Sequence, residues 1–156
     1  MSQRLSLPEV APAAFEAMLG LEKFMRASGL PRSTYELVKL RASQINSCGL
    51  CVDMHAKDMH EEGESLERIF SVAAWRETSY YTDAERAALA LTEEATRLAD
   101  RSEAVPDHVW DEAAKYYEPP VLAALVMAIV TINAWNRIGV TLRVPAGAYA
   151  RPRAKA

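Results

Sequence analysis

Two cysteines stand three positions apart in this chain, in Cys48-Gly49-Leu50-Cys51, and a histidine follows one helical turn later at His55. On a helix turning about 100° per residue, positions 48, 51 and 55 fall within an arc of roughly 60°. Both sulfurs and an imidazole would then share one small patch at a helix N-terminus. The free N–H groups and the positive end of the helix dipole stabilise a thiolate there. His55 lies four residues after Cys51, the spacing at which helical side chains touch. It can take or return the Cys51 proton, or stand as an imidazolium beside the thiolate. The pattern predicts sulfur that is nucleophilic near neutral pH and a pair able to close an intramolecular disulfide. Cys48, at the helix start, is expected to be the more exposed thiol.

Other uses of the pair fit less well. A structural staple gains most from closing a long loop, and this pair closes almost none. Three zinc ligands on one narrow arc make poor corners of a tetrahedron, and a closed site needs a fourth. His60 lies roughly 120° from Cys48 around the helix, and there is no second C-x-x-C. No metal or cofactor is therefore expected. A thioredoxin fold would need a βαβ pattern before the cysteines, and strand signals are almost absent; the chemistry is similar but the scaffold is not.

The elements that must position these residues read as helices throughout. A first helix is expected over 8–28, with Phe15, Met18, Leu19, Phe24 and Met25 at helical spacing and Gly29 as its stop. Ser33-x-x-Glu36 has the form of a capping box opening a second helix, and Asn46-Ser47 would cap a third over about 48–62, closed by Gly63. A short helix from Ser65 to Trp75, one from the capping box Thr82–Glu85 to about Leu98, and one over 106–117 follow. The most apolar helix spans about 120–137. Only Val140 to Val144 alternates weakly, so the fold class is all-α, a compact helical bundle.

Composition sets the broader limits. A chain of 156 residues, half of them apolar, is one ordinary domain, drawn here as 1–150 with a short basic tail at 151–156 carrying Arg151, Arg153 and Lys155. The formal charge of −3 argues against a nucleic-acid surface, which needs a clustered basic face. Residues 1–12 do not read as a secretory signal, and the apolar stretch from Val121 to Val130 is short for a membrane span. A cytoplasmic location is expected. His60 and His108 read as ordinary surface or partly buried histidines, and Trp75, Trp110 and Trp135 as core or interface anchors.

Glu36, eleven residues, Cys48-x-x-Cys51, three residues and His55 together resemble the AhpD-like branch of the carboxymuconolactone decarboxylase superfamily. The flanking Leu37-Val38-Lys39-Leu40-Arg41-Ala42-Ser43-Gln44-Ile45-Asn46-Ser47 and His55-Ala56-Lys57-Asp58 are similar as well, and the match covers about 33–75. The resemblance implies a peroxidatic Cys51, a resolving Cys48 and a proton relay through His55 and Glu36. It implies reduction of organic hydroperoxides, with an external dithiol, in some relatives a lipoyl-bearing adaptor, restoring the thiols. The better-known enzyme of the branch has a histidine between its cysteines, where this chain has Gly49-Leu50.

A homo-oligomer is expected on two grounds. Helix 120–137 is apolar around most of its circumference, and the N-terminal helix carries more apolar surface than one core-facing stripe. The number, a hexamer built as a trimer of dimers, is implied by the resemblance alone.

Overall fold

Prolines and polar caps divide the described chain, residues 2–99 and 101–147 of a computed structural model, into α-helices joined by short turns. In order these are α1 (Leu7–Val10), α2 (Pro12–Ala27), α3 (Arg32–Ile45), α4 (Gly49–Glu61), α5 (Leu66–Ser71), a 3-10 segment (Val72–Glu77), α6 (Asp83–Thr96), α7 (Asp107–Tyr116) and α8 (Pro119–Leu142). No strand occurs among the described residues. The expected all-α bundle is what forms. The basic tail at 151–156 lies outside the described residues.

The expected single helix over 8–28 is two helices, because Ala11 leaves helical geometry just before Pro12, a residue that favours a first turn and opposes a helix interior. Thr82 and Glu85 form the predicted reciprocal capping box of α6, and the Ser65 hydroxyl accepts from the Arg68 N–H at the start of α5. Ser33 and Glu36 do not cap α3. That helix begins two residues earlier, at Arg32, with Pro31 rather than Ser33 as its N-cap and no side-chain cap.

Two helices run through the centre. α3 packs against α4, α6 and α8, and every residue from Thr34 to Leu40 is buried, including Glu36 and Lys39. α8 extends five residues past its expected end, since Ile138 to Leu142 continue the helix before Arg143 enters the left-handed region at φ 54°. At 24 residues it is long and apolar enough to cross a membrane, but half of its most apolar window is buried within the bundle, as in a core helix. α8 packs against α2, α3, α4, α6 and α7.

Candidate active site

The turn from α3 into α4 places the cysteines. Asn46 ends α3 and Ser47 takes a left-handed conformation, φ 54°. The Ser47 N–H then donates to the Gln44 carbonyl and the Cys48 N–H to the Ser43 carbonyl, at 3.2 and 3.0 Å. This is the paired bonding of a Schellman stop. The expectation that Asn46 and Ser47 cap α4 is corrected: they finish α3, and Cys48 is itself the N-cap of α4. Below the turn, the Asn46 amide donates to Asn133 and Asn136 of α8, each at 2.9 Å, and the Asn136 amide donates to the Ser43 hydroxyl at 3.0 Å. Three amides and a hydroxyl thus tie the cysteine turn to the floor formed by α8.

Cys48 and Cys51 are joined as a disulfide with Cα atoms 5.3 Å apart. Both are buried, so the expected exposure of Cys48 is not found; it is 1 % exposed and Cys51 3 %. The reason is α8, whose backbone at Gly139 lies directly against the Cys48 sulfur. Cys51, not Cys48, lines a cavity of about 350 Å³. Phe15 and Leu19 of α2, Leu50 and Met54 of α4, and Trp135, Ile138 and Leu142 of α8 form its apolar wall. Trp135, expected as a core or interface anchor, therefore faces the cavity and packs edge-on against Phe15. Trp75 is buried and Trp110 exposed, and His60 and His108 are both exposed.

His55 and Glu36 open onto the same cavity. His55 Nδ1 lies 2.7 Å from Glu36 Oε2, and Arg32 holds the other carboxylate oxygen at 2.6 Å. Burial pushes the Glu36 carboxyl up, but the His55 hydrogen bond and the Arg32 guanidinium outweigh it and hold the group below the ordinary carboxylate range. Burial holds the His55 imidazole below its ordinary value of 6.5, against the opposing pull of Glu36. An ionised carboxylate can only accept, so the neutral ring is assigned the tautomer in which Nδ1–H donates to Glu36. Nε2 then carries the free lone pair, and it is buried without a hydrogen-bond partner.

A second polar group on the cavity wall had no counterpart in the expectations. Lys39 Nζ donates to both carboxylate oxygens of Glu22 at 2.8 Å and to the Tyr35 hydroxyl at 2.9 Å. The Tyr35 hydroxyl and the Trp135 indole N–H donate to the same carboxylate. The cluster links α2, α3 and α8, and its paired charges satisfy one another, which buried ions require. The available signal was Glu22, an acid seven residues after Phe15 and three before Met25 on α2, with Tyr35 and Lys39 one turn apart. Glu36, His55 and Asp58 also bring ligand-type atoms within 4.8 Å of one another. Arg32 already supplies a cation to Glu36 there.

The depressed His55 value has a consequence for stability. As pH falls, the unfolded chain gains the imidazole proton near 6.5, while the folded protein resists it. The contribution is complete above that value and is lost as pH falls toward the folded value, by up to about 1.4 kcal/mol per pH unit. Glu36, also held below its ordinary 4.5, adds a further loss only at lower pH. The urea midpoint of the oxidised protein should therefore drop as pH falls below about 6.5, and His55→Gln should flatten that limb. A midpoint constant across this window would mean that His55 titrates alike in both states.

A sequence profile described as the carboxymuconolactone decarboxylase family matches residues 11–94, which includes all four of these residues. An uncharacterized protein of Bacillus subtilis, YdfG, is 39% identical over 142 residues, covering 91% of this chain and 95% of that protein. The crystal structure of ATU0492 from Agrobacterium tumefaciens, a protein of unknown function named for AhpD antioxidant defence, superposes with a TM-score of 0.88 at 35% identity, covering 95% of this chain and all of that one. The alkyl hydroperoxide reductase AhpD of Coxiella burnetii is 37% identical over 49 residues, 30% of this chain and 28% of that protein. With a profile match over more than half its length and full-length likeness in sequence and fold, the chain belongs to the carboxymuconolactone decarboxylase family, in its AhpD-like branch.

Proposed function

We propose that the protein is a thiol-dependent peroxidase that reduces organic hydroperoxides through Cys51 and Cys48. The observation that carries this reading is the buried, unpartnered Nε2 of His55 on the cavity that Cys51 lines, with Nδ1 fixed by Glu36. A neutral imidazole so oriented is a general base for the Cys51 thiol. The thiolate attacks the distal peroxide oxygen, the O–O bond breaks, and the departing alkoxide takes the proton back from His55 to leave as an alcohol. Cys51 is then a sulfenic acid. The Cys48 sulfur displaces its hydroxyl, which leaves as water, and the disulfide forms. An external dithiol, such as a lipoyl-bearing adaptor, reduces the pair by exchange and is itself oxidised. The apolar wall of Phe15, Leu19, Trp135 and Ile138 suits an organic substrate body.

Turnover decides the matter. The reduced protein, given an organic hydroperoxide and excess dihydrolipoamide, is expected to consume many equivalents of peroxide. Loss of two thiols without turnover would favour an oxidant sensor, and unreactive thiols would favour a lyase or a structural role.

The same reading places the protein in the cytoplasm as a single unit over 1–150 and as a homo-oligomer, with a hexamer as the assembly. Leu19 and Phe24 on α2, and Val130 and Val140 on α8, are apolar and exposed, as surfaces awaiting a partner copy would be. Light scattering is expected to give roughly 100 kDa for six copies of the 17.3 kDa chain. A mass near that of one chain at micromolar concentration would remove the oligomer, whereas a dimer or trimer would remove only the number.

A further inference from the structure

Gly139 sits buried within α8, a position where glycine is less favourable than alanine because its backbone loses more freedom on folding. Its φ is not in the left-handed region, so no turn requires it. What requires it is sulfur. A Cβ at this position would stand 3.1 Å from Cys48 Sγ and 3.8 Å from Cys51 Sγ. Cys48 is 1 % exposed and belongs to one buried cluster with Ala42, Cys51 and Ile132.

We propose that Gly139 is a positioning residue for the redox pair: the bare backbone of α8 makes the space in which Cys48 Sγ closes onto Cys51 Sγ. The inference rests on the reading of Cys48 and Cys51 as a cycling couple, and it goes beyond that reading in assigning a part of the cycle to α8. A methyl group at 139 would press on the two redox states unequally. In the disulfide, Cys48 Sγ is bonded at both ends and cannot swing away. As a free thiol it can rotate about its Cα–Cβ bond and relieve the contact. Alanine at 139 therefore raises the free energy of the disulfide above that of the dithiol. The step concerned is condensation, in which the Cys48 S–H and the Cys51 sulfenic acid give the S–S bond and water. It should slow, while attack by Cys51 on peroxide proceeds as before.

The couple can be titrated without any peroxide, in buffers of reduced and oxidised dithiothreitol, with the thiol count read by mass after alkylation. In Gly139→Ala the equilibrium constant for disulfide formation is expected to fall at least about tenfold, which corresponds to a potential about 30 mV less negative. Thr141→Ala, at an exposed position two residues on, should leave the potential where it is. An unchanged or more negative potential in a folded Gly139→Ala protein would overturn the proposal. If Gly139→Ala does not fold, the double variant Cys48→Ala/Gly139→Ala, which lacks the crowded sulfur, must recover the fold; failure to do so would also overturn it. Because no hydroperoxide enters the titration, a wild-type protein that ignores peroxide would sink the peroxidase reading and leave this result standing.

Discussion

Cys51→Ser is expected to abolish hydroperoxide consumption, whereas Cys48→Ser is expected to keep the first reaction and lose turnover. Cys51 lines the cavity and lies one helical turn from His55, while Cys48 is covered by α8 and does not reach the cavity wall. A serine hydroxyl at 51 is far less acidic than a thiol and offers no comparable nucleophile. With Cys48 replaced, the sulfenic acid on Cys51 has no intramolecular thiol to condense with and should accumulate. The measurements are peroxide loss and mass after trapping with a sulfenic-acid reagent. A single added reagent is expected on Cys48→Ser and none on Cys51→Ser. If Cys51→Ser retained fast peroxide reaction and Cys48→Ser lost it, the roles would be exchanged.

His55→Gln is expected to slow thiol oxidation by between about 100- and 10,000-fold, the range usual for general acid–base assistance. Glutamine can occupy the site and still meet Glu36, so the fold should survive while the base is lost. Glu36→Gln is expected to slow the reaction by about 100-fold or more, because an amide neither fixes the Nδ1–H tautomer nor stabilises the imidazolium as an ionised carboxylate does. Because Glu36 pulls the His55 imidazole up, its removal should also move the acid limb of the pH–rate profile to lower pH, so that the loss is smallest there. Since α3 is capped without Glu36, a capping defect offers no competing account of the change. Thiol reactivity unaltered in Glu36→Gln would take the carboxylate out of the relay and leave it as a partner for Arg32.

Much of this site was legible because helical periodicity is local. The spacing of Cys48, Cys51 and His55 follows from one helix, and the Thr82–Glu85 cap is closed within one turn. Glu36 was legible only through the family pattern, since its local context pointed to a cap that does not form. An acid three residues after a serine satisfies the capping rule, but Pro31 moves the helix start and frees Glu36 to face α4. Lys39 and Glu22 could not be paired from the sequence. A charged residue in an amphipathic pattern reads as solvent-facing, and only a partner thirteen to seventeen positions away on another helix makes its burial tolerable.

Local contacts were enough for the all-α class, the cysteine pair at a helix start and the histidine one turn on, because each depends on a few neighbouring residues. Which sulfur meets the cavity depends on packing between helices. Cys48 and Cys51 stand on one helix face, and nothing along that helix separates them. The separation comes from α8, some ninety residues later in the chain. Its glycine at 139 brings backbone against Cys48 and leaves Cys51 at the wall.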